Sequence, residues 1–294
     1  MKNEPKRHHY IPQFILRNFC VDDKGTVYYY DKIRCRTSVQ KIQNIFMSMH
    51  LYRDEVNSPD DPTKLERDLS VFESEVSHII KNKFLCEKEI TLNMHEDAKL
   101  RLFFAIMGFR AERVKETFKN QKSTSLYAPY QQDCDFEDLW KRNLSKIVNC
   151  RSIYEVTEHP EIDAPVKVLF HRDTLNISGL YFVVVERDNC EEFILCDTYP
   201  VVITGVLNNG LPLHIYSIFP ISPDRAILMV SNGAVLSPRN VTFFRPLVFT
   251  EPKMNNDGTY TIRVKKIYSE EVKHINEYIA KEAKLGFISR SCEK

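Results

Sequence analysis

The sequence predicts an α+β protein with a helical middle, a sheet-rich C-terminal half and a closing helix. Two amphipathic patterns lie between residues 64 and 122, and short β-rich runs separated by turn residues begin near residue 179. Helices and strands that are segregated along the chain are typical of this class. The composition fits a globular protein, because 43% of the 294 residues are hydrophobic and 28% are charged.

The first sixty residues are predicted to form short strands in an irregular arrangement. The segments 14–19, 26–31 and 51–52 combine aromatic and aliphatic residues, as short strands do. The prolines and aspartates of 58–62 then predict a turn that leads into a helix.

Apolar residues at three- and four-residue spacing predict the helices of the middle region. The stripe of the first long helix consists of Leu65, Leu69, Phe72, Val76, Ile79, Ile80 and Phe84. Beside this stripe, Glu66 and Glu73 share one flank, while Asp68 and Glu75 share the other. The second helix, about 95–122, is apolar enough to be central and buried, and a shorter third helix is expected at 136–148.

The second half of the chain is predicted to be mainly β-structure. The expected strands are 179–186, 192–197, 201–205, 215–219 and 226–230. Further on, Asn256-Asp257-Gly258 predicts a turn before an alternating strand at 260–264, and the stripe of 270–284 predicts the last helix.

Composition also limits the function classes. The net charge is +1, so the chain as a whole is not attracted to nucleic acid, and a helix-turn-helix is disfavoured. Without an 18-residue apolar run or a secretory leader, we expect a cytoplasmic protein that does not interact with membranes. We find neither a linker nor a repeat, which favours one domain over 1–294, with 1–150 and 151–294 as an alternative subdivision.

The most unusual stretch is Arg-His-His-Tyr-Ile-Pro-Gln-Phe-Ile-Leu-Arg-Asn-Phe at residues 7–19. His8 and His9 could supply metal ligands or acid–base groups, and Gln13 and Asn18 could hold a polar substrate. In an extended segment the two histidines point to opposite faces, so only one would enter a given site. On spacing alone, a structural role for this pair remains the alternative.

This stretch resembles the opening of a chiefly bacterial family catalogued as domain of unknown function 4238. The shared pattern is His-His-Tyr-x-Pro-Gln-Phe-x-Leu-Arg-Asn-Phe. Similar features follow at Glu73, Glu75, Arg110, 193–201, 220–223 and Asn276. The chain departs from the family pattern at 196–199, where Cys196 and Thr198 replace the common Ser and Asn and Tyr199 is an extra residue. The resemblance implies a shared architecture but no particular reaction.

The resemblance directs attention to polar residues that are far apart in the sequence. Asp197 ends an apolar strand before a turn, which suits either a site residue or a turn cap. Asn276 falls on the apolar stripe of its helix, so its amide needs partners. Arg110 and Arg113 lie on a very apolar helix, and at least one of them is expected to pair with Glu73 or Glu75, or else to clamp a phosphate or carboxylate.

One hypothesis is a metal-dependent hydrolase or nuclease that acts on a phosphodiester, a nucleotide or nucleic acid. Its metal would be Mn, Mg or Zn, because mixed His and carboxylate ligands suit these ions. An association of such genes with defence loci makes a nuclease attractive. The proposed metal ligands are His9, Asp197, Glu73 and Glu75, and the catalytic residues are His8, His9, Asp197 and Glu75. The proposed substrate-binding residues are Gln13, Asn18, Arg110, Arg113 and Asn276.

The alternative is a non-catalytic binding or regulatory module. In it, the same His, Asn and Asp residues form a buried polar network that holds the N-terminal segment. Accessibility distinguishes the two hypotheses, because catalysis requires these groups to converge on a pocket with room for substrate.

Overall fold

The fold is known from a computed structural model. It describes residues 6–110, 136–167, 170, 180–188, 191–206, 212–231 and 253–292. The chain divides into two compact units, each assembled from three segments. The first unit comprises Met1–Tyr10, Met47–His78 and His95–Leu175. The second comprises Ile11–Phe46, Ile79–Met94 and Asn176–Lys294.

The described residues form a mixed α+β fold, as predicted. The strands are β1 (Arg7–His9), β2 (Thr26–Asp31), β3 (Arg36–Lys41), β4 (Met47–Met49), β5 (Glu89–Leu92), β6 (Leu180–Arg187), β7 (Leu195–Cys196), β8 (Val201–Val206), β9 (Pro212–Pro220), β10 (Arg225–Ser231), β11 (Lys253–Met254), β12 (Tyr260–Arg263), β13 (Lys265–Ile267) and β14 (Gly286–Ser289). The helices are α1 (Gln13–Arg17), α2 (Lys64–Ile79), α3 (Met94–Arg110), α4 (Phe136–Ile147), α5 (Ile153–Glu158) and α6 (Ser269–Glu282). A π-helical turn, Ile80–Phe84, follows α2.

The first unit is built around the pair of long helices. Helices α2 and α3 pack side by side through their apolar stripes, and the rings of Phe72 and Phe103 lie 6.4 Å apart. Trp140 of α4 stacks on Phe109 at 6.4 Å and on Tyr52 at 6.0 Å. Its indole N–H donates to the carbonyl of Phe109, so the buried ring has its one polar group satisfied. The short strand β1 pairs antiparallel with β4.

The second unit contains three sheets and the closing helix. Their strand orders are β13-β6-β10-β9-β8, β3-β2-β14-β7 and β11-β12-β5. Pairing is antiparallel except between β13 and β6, which are parallel. Helix α6 buries Val272, Ile275 and Ile279 in a core shared with residues of the five-stranded sheet. This burial accounts for the apolar stripe that predicts the helix.

Arg225 secures the π-helical turn to the five-stranded sheet. Its Nη1 donates to the carbonyls of Phe84 and Glu87, both at 2.7 Å. Its Nη2 lies 2.6 Å from the carboxylate of Glu186 on β6. A turn that leaves carbonyls unpaired is thus satisfied by one buried cation.

Most predicted elements are confirmed, with three corrections at short segments. The strand predicted at 14–19 is wrong, because Gln13–Arg17 is helix α1, which follows Pro12 and buries Ile15 and Leu16. Short apolar runs do not distinguish a strand from a buried helix. Residues 51–52 form a turn, and the nearby strand is β4. The strand at 192–197 is reduced to Leu195–Cys196. Of the helix at 95–122, residues 111–122 lie outside the described residues.

Gly286 is required where β14 passes β2. A Cβ at this position would collide with the carbonyl oxygen of Tyr30 and lie 2.7 Å from Cζ of Tyr29. We predict that Gly286→Ala lowers the free energy of unfolding by roughly 3 kcal/mol or more, because a main-chain atom cannot move aside easily. Gly258→Ala is the control. Gly258 has φ +79° and open space around it, so only about 1–2 kcal/mol of backbone strain is expected there. Equal losses in denaturant titrations of the two variants would contradict this account.

Candidate functional site

A polar cluster in the first unit is centred on Arg110, at the end of the described part of α3. This side chain is buried, with the residue only 4% exposed. Its Nε donates to Oη of Tyr52 at 2.8 Å, its Nη2 donates to the carbonyl of His9 at 2.8 Å, and its Nη1 donates to Oε1 of Glu73 at 2.6 Å. The predicted pairing of Arg110 with a glutamate of the preceding helix is therefore confirmed for Glu73. Each of the three guanidinium nitrogens has a protein partner.

His8 lies in the same cluster and both of its ring nitrogens have neighbours. Nδ1 accepts the main-chain N–H of Tyr52 at 2.8 Å, and Nε2 lies 2.5 Å from Oε2 of Glu66. The ring also stacks on that of Tyr52, with centroids 5.6 Å apart. Because Nδ1 accepts a hydrogen bond it carries no proton, so the neutral ring must carry its proton on Nε2, facing Glu66.

Burial shifts two pKa values in this cluster. It raises the pKa of Glu73, a shift that the charge of Arg110 opposes and the charge of Glu66 increases. Burial also raises the pKa of Tyr52 to about 12, again against the charge of Arg110. Tyr52 therefore stays a neutral phenol and donates its O–H to the carbonyl of His9 at 3.2 Å. Among the described residues, Oε2 of Glu66 has no regular hydrogen-bond partner, although Nε2 of His8 is close.

Glu75 lies apart from this cluster on the other flank of α2, as the helical spacing predicts. Its carboxylate is exposed and lies 2.6 Å from Nζ of Lys99. That ammonium is also 5.1 Å from the ring centroid of Phe72. The two glutamates of the family pattern therefore bind different cations.

Asp197, in the second unit, binds main-chain amides. Its Oδ1 accepts from the N–H of Lys284 at 3.0 Å and of Gly286 at 3.3 Å, and its Oδ2 accepts from the N–H of Leu285 at 2.9 Å. Three consecutive N–H groups after α6 thus face one carboxylate. Next to them, Nζ of Lys32 donates to three carbonyls at the end of the same helix, with distances of 2.6–3.0 Å. Anion and cation together cap the junction between α6 and β14.

Asn276 uses both ends of its amide on the segment before β7. Oδ1 accepts the N–H of Ile194 at 3.1 Å, and Nδ2 donates to the carbonyl of Glu192 at 2.7 Å. These are the bonds that a neighbouring strand would otherwise supply, which explains why β7 is so short. The residue is only 6% exposed, so the partners expected for a buried amide are present.

The remaining candidates have local or main-chain partners. Oε1 of Gln13 accepts from Arg17, one helical turn later, at 3.3 Å. Nδ2 of Asn18 donates to the carbonyl of Ile221 at 2.7 Å. Arg113 lies outside the described residues.

The candidates thus belong to separate groups of contacts. His8, the main chain of His9, Glu73 and Arg110 come together in the first unit. The second unit holds Gln13, Asn18, Asp197 and Asn276, each bonded to a different segment. The sequence does not predict the roles of Tyr52 and Lys32, because neither residue belongs to a motif or a periodic pattern. The position of Glu66, seven residues before Glu73 on one flank, was the one available signal for its part in the cluster.

Neither a metal site nor a membrane span is found among the described residues. In the ranges given above, no three His, Cys, Asp or Glu side chains are grouped so as to hold a metal ion. The Mn, Mg or Zn site therefore stays a prediction. No helix in the described part of the chain is long and apolar enough to cross a membrane.

An open depression of about 510 Å³ lies on α5, and it is lined by Arg151, Ser152, Tyr154, Glu155, Glu158, His159 and Pro160.

The Arg110–Glu73 pair gives a quantitative test of the cluster. We predict that Arg110→Met lowers the free energy of unfolding by about 2–3 kcal/mol, because the partly buried carboxylate of Glu73, whose side chain is 20% exposed, loses its counter-charge. Adding Glu73→Met should recover part of that loss, since an apolar pair of similar volume needs no desolvation.

Denaturant titration of both single variants and the double variant measures the coupling. Arg263→Met is the control, because Arg263 pairs with Glu89 at the surface, with both side chains more than 60% exposed. That substitution should cost less than about 1 kcal/mol. Strictly additive losses at Arg110 and Glu73 would contradict a coupled buried pair.

Comparison with protein families gives a match over nearly the whole chain. Residues 7–291 match the family described as "Protein of unknown function (DUF4238)". Searches of curated proteins and of solved structures gave no match. Since the family match covers nearly all of the sequence, this chain belongs to the DUF4238 family.

Proposed function

We propose that this chain is a non-catalytic binding or regulatory module, in which the polar residues of the family pattern organise the main chain. One observation carries the proposal. The polar groups of Arg110, Asp197 and Asn276 form hydrogen bonds with protein partners, and most of those partners are main-chain atoms. Catalysis would instead require such groups to face a pocket with room for substrate.

The state of His8 supports this reading. A metal ligand or a general base needs a free imidazole lone pair. The lone pair of Nδ1 is occupied by the N–H of Tyr52, and Nε2 is directed at Glu66. The ring therefore links β1 to the segment that contains Tyr52.

The carboxylate of Asp197 supports it independently. The Asp197 carboxylate accepts from three main-chain N–H groups and so pairs donors that the chain after α6 would otherwise leave without a protein partner. A metal ion bound at the same oxygens would have to displace these donors. The arrangement is that of a cap for the chain after α6, which agrees with the alternative interpretation of Asp197 as a turn cap.

A metal-dependent hydrolase or nuclease is the second candidate, with a nucleotide or nucleic acid as its substrate. The observation that favours it is the concentration of His8, Glu66 and Glu73 around Arg110, with a raised pKa at Glu73. Ionisable groups with shifted pKa values are enriched at functional sites, although structural ion pairs produce the same shifts.

Thermal unfolding with and without metal ions separates the two candidates. For a structural role, the melting temperature of the wild-type chain should not change with manganese, magnesium or zinc, because a native-state ligand would raise it. Asp197→Ala should lower it by roughly 5–10 °C without any metal. Asp60→Ala is the control, since Asp60 is exposed and lies in a turn.

The opposite result is equally specific. A metal-dependent stabilisation of the wild-type chain that disappears in His9→Ala and Asp197→Ala would favour the hydrolase. Cleavage of nucleic acid or a nucleotide that is lost in the same two variants would establish it. The binding-module proposal would then be wrong.

A further inference from the structure

Among the described residues, strand β3 forms an edge of the four-stranded sheet. The sheet order is β3-β2-β14-β7, so among the described residues β3 has one neighbour, β2. It runs for six residues, Arg36–Lys41, without proline, and its register with β2 is unbroken. In an antiparallel pair every second residue of an edge strand turns its N–H and C=O away from its partner. Such groups can pair with an added strand.

Four of the six side chains of β3 are exposed, and those of Ser38 and Gln40 are half-buried. Val39 is 59% exposed, and Ile33 in the preceding turn is 75% exposed. Thr37 and Lys41 share the face of Val39, because side chains alternate along a strand. An apolar side chain on an added strand would therefore find a partner at the centre of this edge.

The charge along the edge has one sign. Residues 32–41 contain Lys32, Arg34, Arg36 and Lys41 and no acidic residue. Lys32 donates to carbonyls of α6, and Arg34 pairs with Asp31. Arg36 and Lys41, which begin and end the strand, have no ion pair among the described residues.

This charge pattern selects the partner. A second copy of β3 would place cations against cations in either strand direction, which is unfavourable for directly opposed residues. An acidic segment would place carboxylates opposite Arg36 and Lys41 and main-chain groups opposite the open edge.

We propose that β3 is a docking edge for an extended acidic peptide segment of a partner protein, which adds to the sheet as a fifth strand beside Arg36–Lys41. The inference rests on the proposed binding function and names the class of partner. It uses no residue of the Arg110 cluster and none of the Asp197 cap.

Fluorescence anisotropy with the full chain provides the test. The probe is a fluorescein-labelled peptide with glutamate at each end and threonine and valine between them. The wild-type chain should bind it, and binding should weaken as salt is raised. The same peptide with lysine in place of glutamate should bind at least about tenfold more weakly.

Two further arms test the mode of binding. The glutamate peptide with alternate main-chain nitrogens methylated should lose binding, because it cannot form a ladder. The double variant Arg36→Glu/Lys41→Glu, with its fold checked by circular dichroism, should reverse the preference between the two peptides. No binding by the wild-type chain, equal binding of both peptides, or full binding of the methylated peptide would each overturn the inference. None of these results would alter the metal dependence or the effect of Asp197→Ala, so failure here is distinguishable from failure of the proposed function.

Discussion

The arrangement of the first unit depends on the hydrogen bonds of one buried cation, Arg110. Arginine stays protonated, so burying it is tolerable only when its donors find acceptors. Here those acceptors come from α2, from Tyr52 and from the main chain of β1. One cation therefore fixes a helix, a loop and a short strand relative to one another. Strand β1 pairs only with β4 among the described strands, through three residue pairs, and the bonds of Arg110 and His8 add to that pairing.

The second unit solves a related problem with separate residues. Chain segments that leave regular structure expose N–H and C=O groups that must be paired when they are buried. Asp197 pairs the amides after α6, Lys32 pairs the carbonyls of the same helix end, and Asn276 replaces a missing strand beside Ile194. The presence of these polar residues on apolar elements is thus explained by the main-chain N–H and C=O groups with which they form hydrogen bonds. Because these polar residues bind main-chain groups, they support a scaffold role for the family pattern. Recognition is then left to exposed edges such as β3.

The sequence predicts long periodic elements well and contacts between distant residues poorly. The stripe of α2 and the run 26–31 were sufficient to predict a helix and a strand, because burial repeats at a fixed period there. For the segment 14–19 the prediction of a strand is wrong, because the apolar run is too short to show a period. The partner of Arg110 could be predicted from helix geometry, since both residues lie on neighbouring helices. The role of Tyr52 could not, because a loop residue carries no periodic signal.

The tautomer of His8 distinguishes a structural imidazole from one that is available for chemistry. Long-range proton–nitrogen NMR spectra report which ring nitrogen carries the proton, and a His8→Gln variant assigns the signal. We predict a neutral ring that is protonated at Nε2 and unchanged by magnesium or zinc, because Nδ1 accepts the N–H of Tyr52. A ring protonated at Nδ1, or a nitrogen signal that shifts when zinc is added, would show that the imidazole is available for chemistry and would contradict the scaffold role.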